Sequence, residues 1–406
     1  MRSLESLKHR NFRLMWTGAI LSNTGTWMAA VALSWYVFLL TRSPFWVSFV
    51  TFINFVPTVL SPIGGVLTDR FDRKRILVLA QVFMMVNAAA LALLAWLDQA
   101  SLFAVMALTF GQGLGFAINA PAWMAFVPSL VPPESMVNAI ALNSAQFSLA
   151  RVIGPAVAGA LIAASSRGVP LIFAINAVSF VTVLIALALV RSWPTPPRQR
   201  RTVRDLLMGG LSYTWGHRPI RAMIGAIAVM SLFGAPVTAL LPVFAAEVFG
   251  RGAEEFGVLA AALGVGSFLG ALLLARVGSR VSQASIAATL VCLSATLILF
   301  ASIGVYAVGV LLMVLYGTAF LFLVAGTNSA IQLQVEEGMR GRVISMWMLA
   351  FGAFYPAGSL VAGIAAEAWG APVTTIAGAA VCAAWGLILL GRSAGPAGRA
   401  VLEPGA

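Results

Sequence analysis

The chain has 406 residues, of which 60% are hydrophobic and only 9% are charged, and its formal net charge is +12. A soluble globular domain carries about 25% charged residues, so this composition cannot cover a water-facing surface and excludes an ordinary soluble protein. The charged residues lie mainly between long apolar segments, which is typical of a chain that crosses a lipid bilayer many times.

The apolar segments follow one another along the chain, and each is close to the roughly 20 residues that a helix needs to cross a bilayer. The charge-free segments are residues 14–41, 43–68, 76–97, 168–190, 222–246, 256–275, 343–366 and 368–391. Three longer regions are predicted to hold one, one and two further spans: 99–133, 135–167 and 281–335. Lipid cannot satisfy free backbone hydrogen-bonding groups, and the segments show no strand alternation. We therefore predict an all-α membrane protein with twelve transmembrane helices.

The largest gap between apolar segments is a basic linker, residues 191–218. It predicts a six-helix bundle at 1–190, a second at 219–391 and a cytoplasmic tail at 392–406. If the first residues are cytoplasmic, most of the 25 Lys and Arg residues fall on the cytoplasmic side, so both termini are expected there. From Val203 to Trp215, apolar residues recur at helical spacing, which fits either a helix in the headgroup region or a solvated linker.

Several kinds of chemistry lack the residues that they need. Cys292 and Cys382 fall inside predicted spans, and His9 and His217 are far apart in sequence, so no disulfide framework, metal site or Ser/His/Asp triad is indicated. The basic residues flank apolar spans and do not form one soluble face, which argues against a nucleic-acid partner. We expect a protein that is not an enzyme, has no metal or cofactor, and acts as a monomer within a lipid bilayer.

The two halves repeat each other at an offset of a little over two hundred residues. Gly154 and Gly159 in the fifth span correspond to Gly358 and Gly363 in the eleventh, and Asn119 corresponds to Asn328. The common order of these matches indicates a duplicated bundle whose halves rock about a central site.

The loop after the second predicted span carries the most specific motif. It reads Gly65-Val66-Leu67-Thr68-Asp69-Arg70-Phe71-Asp72-Arg73-Lys74-Arg75. This resembles the pattern Gly-x-Leu-x-Asp-Arg-x-Gly-Arg-Lys of the major facilitator superfamily, with Asp72 where glycine is usual, a change expected to weaken a tight turn. The segment from Asp69 to Lys74 is similar to the corresponding segment in the exporter branch of this family, which includes enterobactin and macrolide efflux proteins.

The resemblance implies two pseudo-symmetric six-helix bundles in a bacterial inner membrane. It also implies a cytoplasmic gate in which Asp69 pairs near the start of the eleventh span, with Arg70, Arg73 and Lys74 taking part after Gly65. For Lys74 and Arg75, a role in fixing the topology alone stays open.

The fifth span carries a second motif, Arg151-Val152-Ile153-Gly154-Pro155-Ala156-Val157-Ala158-Gly159. It partly resembles the antiporter motif of the same family, which implies export. Gly154 and Gly159 allow close helix approach, and Pro155 loosens the backbone, so we expect either a bend at a moving helix contact or ordinary close packing.

Arg151 lies deep in this span, where a charge is costly unless it faces protein or water. It is expected either to bind an anionic group of the substrate, or to snorkel or pair with backbone carbonyls at the interface between the halves. Other polar and aromatic residues of the predicted cavity are Asn23, Trp27, Asn54, Asn119, Asn143, Gln146, Asn328, Gln332 and Tyr355. Each amide can instead bond across helices. Together, an amphipathic chamber with few fixed charges favours a large, apolar or neutral substrate.

No carboxylate falls in the middle of a predicted span, so coupling to protons would need an edge residue such as Asp69, Glu247 or Glu367. We expect a secondary active exporter of amphipathic small molecules (drugs, macrolides or siderophores) that works by alternating access, with protons as the candidate coupling ion. The alternatives are a lipid or lysophospholipid flippase and a non-transporting membrane receptor or scaffold.

Overall fold

The structure is a computed structural model that describes residues 4–190, 203–278 and 281–393, and these ranges contain no strand. The first half holds α1 (Arg10–Thr41), α2 (Pro44–Phe55), α3 (Ser61–Arg70), α4 (Arg73–Trp96), α5 (Leu102–Phe126), α6 (Met136–Ala164) and α7 (Gly168–Leu189). They are followed by α8 (Val203–Gly216), α9 (Arg218–Val229), α10 (Val237–Val243), α11 (Ala253–Val277), α12 (Gln283–Ser302), α13 (Tyr306–Gln334), α14 (Glu337–Gly352), α15 (Phe354–Trp369) and α16 (Ala371–Ser393).

Eleven helical segments in the described ranges are long and apolar enough to cross a membrane, and Pro44–Leu60 is a shorter apolar one. The prediction of an all-α, multi-pass membrane protein is confirmed. The number twelve stays a prediction, because the second predicted span is divided. Pro57 and Pro62 have no backbone N–H to donate, and a 3-10 helix at Val56–Leu60 separates α2 from α3.

The segment Arg218–Val248 is irregular in a different way. π-Helical turns at Met230–Gly234 and Phe244–Val248 flank α10, and the backbone N–H of Ala235 donates to the Met230 carbonyl, five residues earlier, at 2.8 Å. Pro236 cannot donate a backbone hydrogen bond, and the Tyr316 hydroxyl donates to the Gly234 carbonyl at 3.3 Å. Such π-turns often lie at functional sites.

The chain forms two compact units that do not follow the sequence order throughout. Unit 1 holds residues 1–42, 50–200 and 251–261, and unit 2 holds the remainder. Ser43 and the first residues of α2, up to Phe49, therefore belong to unit 2, and the first residues of α11 belong to unit 1. The predicted domain boundaries, 1–190 and 219–391, stay a prediction.

In unit 1, α1 packs on α6 and α7, and α4 packs on α5 and α7. A buried apolar cluster joins the start of α1 to the start of α4 and to the last turns of α5 and α7. It includes Phe12, Leu77, Phe126 and Leu187. These four helix ends therefore lie at one end of the bundle, as alternating up and down helices require.

In unit 2, α12 packs on α13 and α16, and the linker helix α8 packs on α14. The contact depends on glycine, because an added Cβ at Gly210 would lie 2.4 Å from the Arg342 carbonyl oxygen. Met208, Leu211 and Trp215 of α8 are exposed by 60%, 49% and 69%. The linker thus contains the helix predicted for it. Its place in the headgroup region stays a prediction.

Candidate substrate-binding site

Unit 1 contains a chain of hydrogen-bonded amides that connects α1, α5 and α6. The Asn23 side chain donates to Gln146 Oε1 at 3.2 Å, and Gln146 donates to Asn143 Oδ1 at 3.5 Å. The indole N–H of Trp123 also donates to Asn143 Oδ1, at 3.0 Å. Gln146 is only 2% exposed, so these partners satisfy an amide that would be costly to bury alone.

Arg151 and Phe147 of α6 contact Trp27 of α1, four residues after Asn23. The Arg151 guanidinium carbon lies 5.3 Å from the centre of the Trp27 ring, and the Trp27 and Phe147 rings make an edge-to-face contact at 5.8 Å. A cation over an indole face is stabilised by about 0.5–2 kcal/mol. That offsets part of the roughly 2.5–3.5 kcal/mol that an arginine costs in the middle of a span. We define the unit 1 cluster as Asn23, Trp27, Asn143, Gln146, Phe147 and Arg151.

The two other candidate amides of unit 1 contact different helices. Asn119 of α5 accepts a hydrogen bond from Gln81 of α4 at 3.1 Å, which matches the alternative that it bonds across helices. Asn54, near the end of α2, lies with its backbone carbonyl against Gly113 of α5.

Unit 2 contains an aromatic column that the sequence reading found only in part. The Tyr355 hydroxyl lies 2.9 Å from the Thr238 hydroxyl, and the rings of Trp347, Phe351 and Tyr355 stack in sequence at 6.4 and 6.0 Å. Phe320 of α13 adds an edge contact to Phe351. We call these five residues the unit 2 column. The spacing of four between the three stacked rings is the signal that could have revealed Trp347 and Phe351.

The remaining candidates of unit 2 lie elsewhere on α13. The Gln332 amide donates to Asn328 one turn earlier. Gln332 also lines a groove of about 410 Å³ with Leu274, Gly278, Ser329 and Leu333, near the end of α11.

The four glycines of the sequence repeat occupy matching close contacts. An added Cβ at Gly154 would lie 2.6 Å from Trp27 Cβ, and one at Gly358 would lie 2.3 Å from the Leu232 carbonyl oxygen. At Gly159 the nearest atom is Gly257 Cα of α11, at 2.8 Å, and at Gly363 it is Ser48 Cβ of α2, at 2.5 Å. The helix α6 continues through Pro155, which is buried.

The residues of the loop motif divide into several environments. Gly65 has open space where a Cβ would lie, Arg70 is exposed at the end of α3, and the Asp69 side chain lies outside the described residues. Arg73 donates to the Ala125 carbonyl at 3.1 Å and Lys74 to the Val190 carbonyl at 2.9 Å. Both carbonyls are at helix ends, where cations are favoured.

Asp72 has a defined local role that the sequence reading missed. Its carboxylate accepts the backbone N–H of Arg75 at 2.8 Å and so caps the start of α4. Aspartate is among the preferred residues at this position, and its spacing before Arg75 was the available signal.

Two of the acidic residues considered for proton coupling, Glu247 and Glu367, are exposed. Glu367 Oε2 accepts from the Ser43 hydroxyl at 2.7 Å and from the Phe45 backbone N–H at 3.2 Å. Among the described residues, no group of three or more His, Cys, Asp or Glu residues could hold a metal ion.

Comparison with known proteins agrees with this architecture. The family model described as transmembrane secretion effector matches residues 1–402. The enterobactin exporter EntS of Salmonella typhi is 27% identical over 393 residues, which cover 94% of this chain and 91% of that protein. EntS of Shigella boydii is 26% identical over 390 residues, which cover 94% and 90%.

Solved structures share the fold at much lower sequence identity. A bacterial homologue of the human lysosomal transporter Spinster, in an inward-facing and unoccupied conformation, has a TM-score of 0.75 at 14% identity, covering 94% of this chain and 97% of that one. The nucleoside transporter NupG has a TM-score of 0.71 at 12% identity, covering 95% and 100%. A likeness at this identity shows the fold. The family match and the EntS relatives confirm that the protein is a transporter and not an enzyme. The chain belongs to the transmembrane secretion effector family of major facilitator superfamily transporters.

Proposed function

We propose that this transporter exports amphipathic small molecules that carry an aromatic or anionic group. The observation that carries the proposal is the unit 1 cluster, in which Arg151 supplies a positive charge beside the rings of Trp27 and Phe147. Aromatic faces bind apolar and aromatic groups, and a guanidinium binds carboxylates and phenolates. The chemistry fits drugs, macrolides and siderophores, and the EntS relatives are exporters by name.

The direction and the mechanism form part of the proposal. Export is supported by the EntS relatives and by the partial antiporter motif at Gly154, Pro155 and Gly159. Alternating access is supported by the matching contacts of the two repeats, since Gly154 and Gly358 face equivalent segments near the start of each half. We further propose a bacterial inner-membrane location with both termini cytoplasmic, and function as a monomer. We also propose that protons are the coupling ion, which the experiments below test with an imposed proton gradient.

The proposal is tested by transport into proteoliposomes and by accumulation in cells, with and without an imposed proton gradient. A panel contains anionic aromatic compounds, neutral macrolides and siderophores. Arg151→Gln is expected to lower transport of the anionic aromatic compounds by about tenfold or more, because a charge-assisted contact is worth about 1.5–3 kcal/mol. Neutral compounds of similar size should lose less.

Arg167→Gln is the matched control, because Arg167 also lies over an indole, Trp96, at 5.9 Å but is exposed and paired with Asp98. It should transport like the parent protein. Failure to move any compound of the panel, with or without the imposed proton gradient, would refute the export proposal. Movement of labelled lipid between leaflets, in its place, would establish a flippase.

A further inference from the structure

The start of α2 is attached to α15 by a carboxylate that comes from a distant part of the chain. Glu367 Oε2 accepts from the Ser43 hydroxyl at 2.7 Å and from the Phe45 backbone N–H at 3.2 Å. The Ser43 hydroxyl in turn lies 3.4 Å from the backbone N–H of Trp46. The first backbone N–H groups of a helix lack partners within it and favour a negative charge. Two groups therefore cap the start of α2. One is the hydroxyl of Ser43, the residue just before the helix, and the other is the carboxylate of Glu367 from α15.

One turn before Glu367 on α15, the two helices touch directly. An added Cβ at Gly363 would lie 2.5 Å from Ser48 Cβ, and Ser48 is fully buried. Within the described residues, the Ser48 hydroxyl has no hydrogen-bond partner. Residues four apart share one helix face, so Gly363 and Glu367 present a dry contact and a polar contact to the same segment. The unsatisfied hydroxyl of Ser48 destabilises the contact at Gly363, whereas the hydrogen bonds to Glu367 stabilise the contact one turn later.

The equivalent crossing in unit 1 is built differently. There Gly159 of α6 meets Gly257 of α11, and the position four residues after Gly159 is Ala163, which has no polar group. The nearby Glu255 accepts from the Gly252 N–H at 3.1 Å and lies 3.9 Å from Arg251, both within its own segment. The carboxylate of Glu367 thus has no counterpart on α6 at the corresponding place.

We propose that Glu367 is a positioning residue that holds the start of α2 to α15, and that its strength sets how readily this crossing separates during transport. We call the contacts of Glu367 with Ser43 and Phe45, together with that of Gly363 with Ser48, the clasp. The role in transport rests on the alternating access proposed above. At the crossing in unit 1, the position on α6 that corresponds to Glu367 is Ala163, which cannot form such a clasp.

The experiment measures exposure of a buried position under the clasp. Ser48→Cys is introduced into full-length protein in which Cys292 and Cys382 are replaced, and its reaction rate with a maleimide is measured in nanodiscs. Glu367→Ala is expected to raise the rate by about three- to tenfold, because an exposed charge-assisted contact is weaker than a buried one. Glu367→Gln should give a smaller rise, since its amide oxygen still accepts hydrogen bonds. Ser43→Ala should also raise the rate.

Glu255→Ala is the control, because Glu255 accepts the backbone N–H of Gly252 just before α11 in unit 1, and it should leave the Ser48→Cys rate unchanged. Thermal unfolding of each variant separates local opening from loss of the fold. Equal rates in the parent, Glu367→Ala and Ser43→Ala proteins would overturn the clasp. The maleimide measurement needs no substrate, so it still tests the clasp if the export proposal fails. Conversely, if the protein exports compounds of the panel but the maleimide rates of the variants are unchanged, only the clasp proposal is refuted.

Discussion

The contact between Gly159 and Gly257 gives the sharpest test of how helix packing controls this transporter. An added Cβ at Gly159 would lie 2.8 Å from Gly257 Cα and 3.1 Å from the Glu254 carbonyl oxygen. An added Cβ at Gly257 is worse, at 2.5 Å from Gly159 Cα and 3.0 Å from both the Gly159 nitrogen and the Pro155 carbonyl oxygen. All these neighbours are backbone atoms, which cannot rotate away.

The expected cost follows from these distances. Ordinary van der Waals contact begins near 3.4 Å, so the backbones must separate by about half an ångström or more for either alanine. Overpacking of this kind costs about 1–3 kcal/mol. If the cost falls only on the packed crossing, the crossing opens about 5- to 150-fold more often. Gly257→Ala should have the larger effect and Gly159→Ala the smaller.

The assay again uses a buried cysteine. Leu259 of α11 is fully buried two residues after Gly257, so the maleimide rate of Leu259→Cys reports how often this segment of α11 becomes exposed. Gly391→Ala is the control, because a Cβ at Gly391 meets no atom within 4 Å. Reaction rates and unfolding temperatures equal to those of the parent in both Gly159→Ala and Gly257→Ala would refute the reasoning. A reversed order of severity would refute the geometry.

Further predictions concern capping, helix ends and the unit 2 column. Asp72→Ala should lower the free energy of unfolding by about 1 kcal/mol and Asp72→Gly by only a few tenths, because glycine tolerates the cap position better; equal losses in thermal unfolding would contradict the cap. Arg73→Met and Lys74→Met should each cost about 0.5–1.5 kcal/mol by leaving the Ala125 or Val190 carbonyl without its donor, and unfolding in nanodiscs checks this. Tyr355→Phe should cost a similar amount by removing the bond to Thr238, and efflux of aromatic compounds should fall further only if the column contacts substrate.

The sequence alone located most helices because charged residues are costly in lipid and are therefore rare within the spans. The charge-free segment 76–97 became α4 (Arg73–Trp96), and 168–190 became α7 (Gly168–Leu189). The π-turn at Met230–Gly234 escaped prediction, because it depends on Pro236 and on a contact from Tyr316, 82 residues from Gly234.

The candidate site shows the same limit. Spacing placed Asn23 and Trp27 on one face of α1, and both contact α6. Which amide pairs with which could not be read from spacing, since Asn119 bonds to Gln81 of α4, outside the predicted set. The substitution of Asp72 for glycine suggested a weakened turn, whereas the structure shows an added helix cap. Gly65 matches the family pattern, yet it has open space around it, so packing does not explain why glycine stands there.

The division of α2 and α11 between the two units has a consequence for how this protein can be made. Residues 43–49 complete unit 2, and residues 251–261 complete unit 1. A fragment ending near residue 190 would lack the piece that covers Gly159, and a fragment beginning near 219 would lack the piece that covers Gly363. Separately produced halves are therefore expected to be more stable when they are synthesised together, because each supplies a short segment that completes the other unit.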